Sequence, residues 1–152
     1  MNRIWAAVNQ SMRVGLALLL GSFVAPSARA SDDAEPSTQA AALQLAGAFS
    51  NEGFKIRDGH WINSLAAGQP KLIQVNLYAG NQYWFIAAAT DKAKKVTVSV
   101  FDELGKPLAT DSHQDGNLAA AGFAPALSGS YYIQINEIEG APATFCFLYT
   151  YK

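Results

Sequence analysis

Cysteine and histidine are the scarcest reactive side chains in this 152-residue sequence, which has one cysteine, Cys146, and two histidines, His60 and His113. A single cysteine excludes an intrachain disulfide, so the stability of the fold has to come from packing. Cys146 lies between Phe145 and Phe147, which favours a small core residue over a nucleophile. The histidines lack metal-ligand spacing, and no nucleophile signature such as Gly-x-Ser-x-Gly occurs. These absences favour a non-catalytic protein over an enzyme.

Basic charge is also scarce once the first thirty residues are set aside. Residues 1–30 contain three arginines and no carboxylate, and the remainder has eight lysines and arginines against twelve carboxylates. A single basic cluster, at residues 92–95, precedes a predicted strand, where lysines are typical of a solvated strand edge. Binding to nucleic acid or anionic lipid depends on clustered cations, so the composition argues against both of those partners.

The sequence has one long apolar run, and it lies near the N-terminus. Arginines at positions 3 and 13 precede the run at 14–20, and the small-residue pattern Ala-Arg-Ala ends at Ala30. This arrangement predicts a secretory signal peptide over residues 1–30. The run is shorter than the roughly twenty residues needed to span a bilayer. We therefore expect a periplasmic or secreted protein with no membrane insertion after signal cleavage; an uncleaved anchor is the alternative.

A leader and one helix are predicted between the signal peptide and the strands. Residues 31–36 are polar and acidic, which is typical of a disordered segment. A proline and a serine at the start and a glycine just after the end predict a helix over residues 37–52. Leu45 and Phe49 are four residues apart, and Ala41, Ala42 and Ala48 fall near them, which gives one weakly apolar face. We expect that face to lie against the sheet.

Short runs with the period-two alternation of β-strands fill residues 54–152. The clearest is Val96, Val98 and Val100, which alternate with polar residues and lead into a turn at Gly105, so residues 96–111 are predicted to form a hairpin. Residues 83–87 are apolar on both faces, which predicts either a central strand that is covered on each side or a strand whose second face meets the helix.

Seven or eight such strands, with turn signals between them and no intervening helix, predict an all-β fold. Residues 73–77 and 131–135 alternate as clearly as the valine run, whereas 111–117 has the composition of a polar loop. Even spacing of short strands favours an antiparallel β-sandwich over a parallel sheet. We therefore predict one β-sandwich domain over residues 54–152, preceded by the single helix.

Three different short motifs, built of turn glycines and core residues, occur one after another along this region. They are Leu-x-Ala-Gly-x-x-Tyr-x-Phe at 77–85, Val-x-Val-x-Asp-x-x-Gly at 98–105 and Ser-Gly-x-Tyr-x-Ile at 128–133. In this order they resemble the bacterial pre-peptidase C-terminal domain over residues 61–151. The resemblance implies a jelly-roll-like sandwich of the kind appended to secreted enzymes, with roles in secretion, solubility or substrate binding.

Outward-facing aromatic residues are the candidates for ligand binding. If Tyr83, Phe85 and Tyr131 point into the core, other aromatic side chains face outward. Four of these rings could stack on a sugar or bind a hydrophobic peptide: Trp61, Tyr78, Trp84 and Tyr132. The alternative is that the predicted helix covers some of them, Trp84 above all.

Acidic residues near the hairpin are the candidates for a calcium site, namely Asp102, Asp111 and Asp115. The segment 111–116 resembles the start of a calcium loop, but its twelfth position is Gly122, where a bidentate glutamate is required. The hairpin register places Asp102 and Asp111 roughly ten or more ångströms apart. A solvated loop is therefore favoured over calcium, and no other cofactor is predicted.

Together these observations predict a non-catalytic, exported β-sandwich that serves as an accessory or binding module. The partner would be a protein or polysaccharide of the cell envelope or of the secreted fraction. The alternative is a carbohydrate-binding or calcium-dependent adhesion protein.

Overall fold

The computed structural model describes residues 33–152, which form one helix and nine strands. The predicted signal peptide and the first two residues of the predicted leader lie outside this range. The helix, α1, spans Ala34–Ser50. The strands are β1 (Lys55–Ile56), β2 (Trp61–Leu65), β3 (Lys71–Leu77), β4 (Tyr83–Ala89), β5 (Ala93–Phe101), β6 (Asp111–Asp115), β7 (Leu118–Phe123), β8 (Gly129–Gly140) and β9 (Ala143–Tyr151).

The strands form two sheets that pack face to face. The six-stranded sheet has the order β1-β9-β4-β7-β6, and β2 also pairs with β9; the three-stranded sheet has the order β3-β8-β5. Every pairing is antiparallel. The predicted antiparallel sandwich with one N-terminal helix is confirmed.

The main core fills the space between the two sheets. Alternation places every second residue of β3, β4, β5 and β8 on the inner side, as predicted for the valine run of β5. The largest fully buried side chains of this core are Phe85, Phe145, Phe147, Leu65, Leu77, Ile133 and Ile135.

Helix α1 covers the outer face of the six-stranded sheet. Its buried residues are Thr38, Ala42 and Ala46, spaced four apart, and the two alanines pack against the outer side chains of β4, β7 and β9. Ala42 belongs to the predicted apolar face and lies in the middle of the contact, where a small side chain lets the helix axis approach the sheet closely; Leu45 and Phe49 of the same face are partly buried and pack at its flank. Within the described range, α1 lacks the length and the apolar composition of a membrane-crossing helix.

The helix begins earlier than the sequence predicts. It starts at Ala34 instead of Ser37, so Glu35 and Pro36 belong to its first turn and not to a leader. Proline is tolerated in the first turn because the N–H groups there have no intrahelical acceptor. The helix ends at Ser50, two residues before the predicted end.

Two segments next to the predicted hairpin differ from expectation. The turn of the predicted hairpin forms, and Leu108 N donates to Val100 O at 2.9 Å. The rest of the predicted second strand does not pair with β5, because the chain crosses to the six-stranded sheet. The predicted polar loop at 111–117 contains strand β6, which pairs with β7 at the edge of the six-stranded sheet. All five residues of β6 are exposed, so the segment has no apolar face to distinguish it from a loop.

Candidate functional site

The two sheets differ in what covers their outer faces. Helix α1 covers the six-stranded sheet, whereas no element of residues 33–152 packs over the outward side of the three-stranded sheet. We call this surface the open face; it consists of the outward side chains of β3, β8 and β5. Leu72 of β3 is 62% exposed there. Contiguous exposed apolar surface in a folded domain is typical of binding sites, whereas a single exposed apolar residue is ordinary, so the neighbours of Leu72 on this face matter.

Strand register places aromatic, aliphatic and amide side chains next to one another on the open face. In an antiparallel sheet, directly paired residues point to the same side and their side chains touch. The pairings form two neighbouring rows across the three strands: Gln74, Tyr132 and Phe101, and then Leu72, Gln134 and Ser99.

The turn after β5 turns one end of the open face into a shallow groove. Asp102 holds this turn, because its Oδ1 accepts hydrogen bonds from Leu104 N at 3.0 Å and from Lys106 N at 2.8 Å. The turn in consequence presents Leu104, which is 88% exposed. Leu104 and Glu103 line a groove of about 450 Å³ with Leu72, Phe101, Tyr132 and Gln134.

The structure does not bring the four predicted ligand-binding aromatics together. Tyr132 lies in the middle of the open face, on β8. Tyr78 is exposed just beyond the end of β3, about 13 Å along the strand from the Tyr132 row. Trp61 lies on β2 at the edge of the other sheet, where its ring centroid is 5.3 Å from that of Phe147.

Trp84 is covered by the helix, as the alternative for this residue predicts. Its indole ring stacks on Phe49 of α1, with 4.4 Å between centroids and 15° between ring planes. The half-buried indole also lines a second groove, of about 440 Å³, together with Phe54 and Asp111. Its main role is to attach the helix to the sheet.

Of the residues in the two rows, only Tyr132 is a candidate from sequence; the missed residues that also line the groove are Leu72, Phe101 and Gln134. Each has a usable signal in the alternation. Phe101 follows Thr97 and Ser99 at steps of two, so it belongs to the outward set of β5. The alternation does not show which strands share a sheet. These residues are neighbours because β3, β8 and β5 lie side by side in one sheet.

The three aspartates proposed for calcium lie apart. Asp102 is engaged in the turn after β5, while Asp111 and Asp115 lie on β6 of the other sheet. Asp111 and Asp115 are four residues apart on an extended strand, which separates them by about 13 Å. Within residues 33–152, no three side chains of His, Cys, Asp or Glu are grouped so that they could hold a metal ion.

The histidines and the cysteine also lie far from one another in the fold. His60 precedes β2 and His113 lies on β6, so they occupy opposite edges of the six-stranded sheet, roughly 19 Å apart across four strand spacings. Cys146 is fully buried under α1, and burial raises the pKa of its thiol to about 11. The thiol is therefore protonated at neutral pH and packs as a core residue.

Glu137 is the one carboxylate among residues 33–152 that is buried in the core, with 1% exposure. It follows Ile133 and Ile135 in the inward set of β8, and neither of its carboxylate oxygens has a hydrogen-bond partner among these residues. Burying an unsatisfied polar group costs about 1–3 kcal/mol, and more when it is charged. Glu137 therefore lowers the stability of the sandwich.

Replacement of Glu137 by methionine should stabilise the protein. Methionine has a similar length and adapts to irregular space, so we expect Glu137→Met to raise the free energy of unfolding by about 1–3 kcal/mol. Urea denaturation at pH 7 measures the change. The control Glu139→Met, at an exposed position of the same strand, should stay within about 0.5 kcal/mol of the wild type. If Glu137→Met lowers the free energy of unfolding and Glu139→Met does not, the conclusion that the Glu137 carboxylate is unsatisfied would be contradicted.

Comparison with known proteins adds no assignment to this geometry. The chain matches no family model, and no curated protein matches it.

Proposed function

We propose that this protein is a non-catalytic, exported binding module that attaches through its open face to a component of the cell envelope or to a secreted partner. The signal-peptide pattern of residues 1–30 supports export. The motifs that resemble the pre-peptidase C-terminal domain support an accessory role. The observation that carries the proposal is that one sheet is covered by α1 while the other presents Leu72, Tyr132 and Leu104 to solvent.

Co-sedimentation with cell-envelope material of the producing bacterium tests the proposal. Increasing amounts of purified protein are mixed with washed envelope fragments, which are pelleted, and the bound protein is measured. We expect saturable binding by the wild type. Leu72→Glu places a charge in the middle of the proposed contact, so the apparent affinity should fall at least about tenfold, because a desolvated and unpaired carboxylate is costly.

Leu43→Glu is the matched control, because it makes the same change on the opposite side of the molecule. Leu43 lies on α1 and is 42% exposed, away from the open face. This variant should bind envelope material as the wild type does. Equal losses in both variants, or no saturable binding by the wild type, would overturn the proposal.

A further inference from the structure

We infer that the ligand of the open face is an uncharged oligosaccharide chain, an inference that rests on the function proposed above. The first reason is electrostatic. The outward side chains of the three strands between the β5 bulge and the β5 turn are amides, hydroxyls, aromatic rings and a leucine, with no carboxylate or ammonium group among them. Charged residues flank this region at its edges. They are Lys95 at the bulge, Asp102 and Glu103 in the turn, and Lys71 at the start of β3.

The lack of charged side chains along these strands indicates which kind of polymer the face can bind. An anionic chain requires cations along its path, and a cationic chain requires carboxylates. Between the bulge and the turn, the outward side chains of the three strands include neither, and the one charged side chain that lines the groove is the Glu103 carboxylate in the turn. A neutral ligand is the one that such a surface complements.

The second reason is the type of hydrogen-bonding group present. Gln74 Nε2 donates to Ser130 Oγ at 3.2 Å, and Ser130 Oγ donates to Asn76 Oδ1 at 3.0 Å. This series of bonds holds both amides in place while using only one polar atom of each. The remaining carbonyl and amino groups supply an acceptor and a donor on one surface, and a sugar hydroxyl acts as both donor and acceptor.

The third reason is the aromatic pair in the middle of the face. Tyr132 and Phe101 are direct cross-strand partners, so both side chains project from the same side of the sheet. A ring face carries partial negative charge and attracts polarised C–H groups. The C–H side of a sugar ring is apolar and polarised in this way, whereas its edge carries hydroxyls. Rings flanked by amides therefore match the two sides of a sugar unit.

A second copy of this chain fits the face less well. Three strands about 4.8 Å apart, with about seven residues each at 3.4 Å, present roughly 300 Å². A stable protein–protein interface requires about 800 Å² from each partner. A single oligosaccharide chain that crosses the sheet needs no more contact area than the open face presents.

Titration calorimetry with hexasaccharides tests the inference. The probes are the neutral hexamers of β-glucose, xylose and N-acetylglucosamine, with hexagalacturonate as the anionic comparison. We expect saturable binding of at least one neutral probe and none of hexagalacturonate. Tyr132→Ala should weaken binding at least about tenfold, because central aromatic residues dominate such contacts. Trp61→Ala, which removes an exposed ring at the edge of the other sheet, should leave the affinity unchanged.

Failure of this inference is distinguishable from failure of the proposed function. Periodate destroys the vicinal diols of sugar chains in the envelope material; it is applied after a chitinase, which cleaves N-acetylglucosamine chains because these lack vicinal diols, and protease in a separate treatment removes the proteins. Loss of co-sedimentation after periodate but not after protease supports the oligosaccharide. Loss after protease but not after periodate, with Leu72→Glu still defective, overturns the oligosaccharide and leaves the proposed function standing. Binding of hexagalacturonate alone, or neutral-probe binding that Tyr132→Ala does not weaken, also overturns the inference.

Discussion

Gly140→Ala is expected to lower the free energy of unfolding by about 2–6 kcal/mol. Gly140 ends β8 with a φ of +137°, which side-chain-bearing residues rarely adopt. An added Cβ would lie 2.5 Å from Lys92 O, 2.6 Å from Glu137 Oε1 and 2.7 Å from Ala93 Cα. Backbone strain of about 1–3 kcal/mol adds to an overpacking cost of about 1–3 kcal/mol, and two of the three obstructing atoms are backbone.

Gly105→Ala separates the two contributions. Gly105 has a φ of +79°, but an added Cβ would meet no atom within 4 Å. Its substitution should cost only the conformational strain, about 1–2 kcal/mol. Denaturant unfolding of the two variants measures the difference. Equal losses would show that the end of β8 is more open than the structure indicates.

Phe147→Ala should remove about 3–5 kcal/mol, because it deletes a fully buried ring from the centre of the main core. The ring centroid of Phe147 is 5.3 Å from that of Trp61 and 6.5 Å from that of Phe85, so its loss leaves a cavity bounded by rigid aromatic rings. Domains of this size have unfolding free energies of about 5–15 kcal/mol. We expect thermal and urea unfolding to show that Phe147→Ala is marginally folded at 37 °C.

Phe101→Ala is the matched control for this prediction, because it removes the same ring from the open face. Phe101 is half-buried and faces outward from β5, where no second layer of residues 33–152 covers it. Its replacement should cost about 1 kcal/mol or less. A loss in Phe101→Ala that approaches the loss in Phe147→Ala would mean that the open face is part of a covered core.

The strands of the sandwich can be predicted from sequence where a short segment shows clear alternation of apolar and polar residues. Val96, Val98 and Val100 point inward in β5 as their spacing indicates. The doubly apolar strand at Tyr83–Ala89 is covered on both faces, by the main core and by α1. In both cases a short window of sequence contains all the information that is needed.

Elements without an apolar face cannot be found in this way. Strand β6 is polar at every position, and its pairing with β7 depends on the neighbouring strand rather than on its own pattern. The two-residue turn Gly116-Asn117, which follows the paired residue Asp115, has the composition of a hairpin turn and is the one local signal for it. The end signals of the helix locate it, and its weakly apolar face includes Ala42, but the pattern does not single out Ala46 because an alanine carries little hydrophobic signal.

Of the candidate site, only Tyr132 is predicted from sequence. Trp84 has the same local pattern as an exposed aromatic, and only the tertiary packing of Phe49 against it shows that it is covered. Leu72 and Phe101 lie far apart in sequence and become neighbours because β8 lies between β3 and β5. Long-range strand order determines this surface, and local spacing does not contain that order.

Carbene footprinting of the protein, free and bound to envelope material, tests the central claim most directly, because it locates the contact whatever the chemical identity of the ligand. The account predicts that labelling of Leu72, Leu104 and Tyr132 falls on binding, while labelling of Leu43 on α1 is unchanged. Protection of Leu43 with continued labelling of Leu72 and Tyr132 would contradict it.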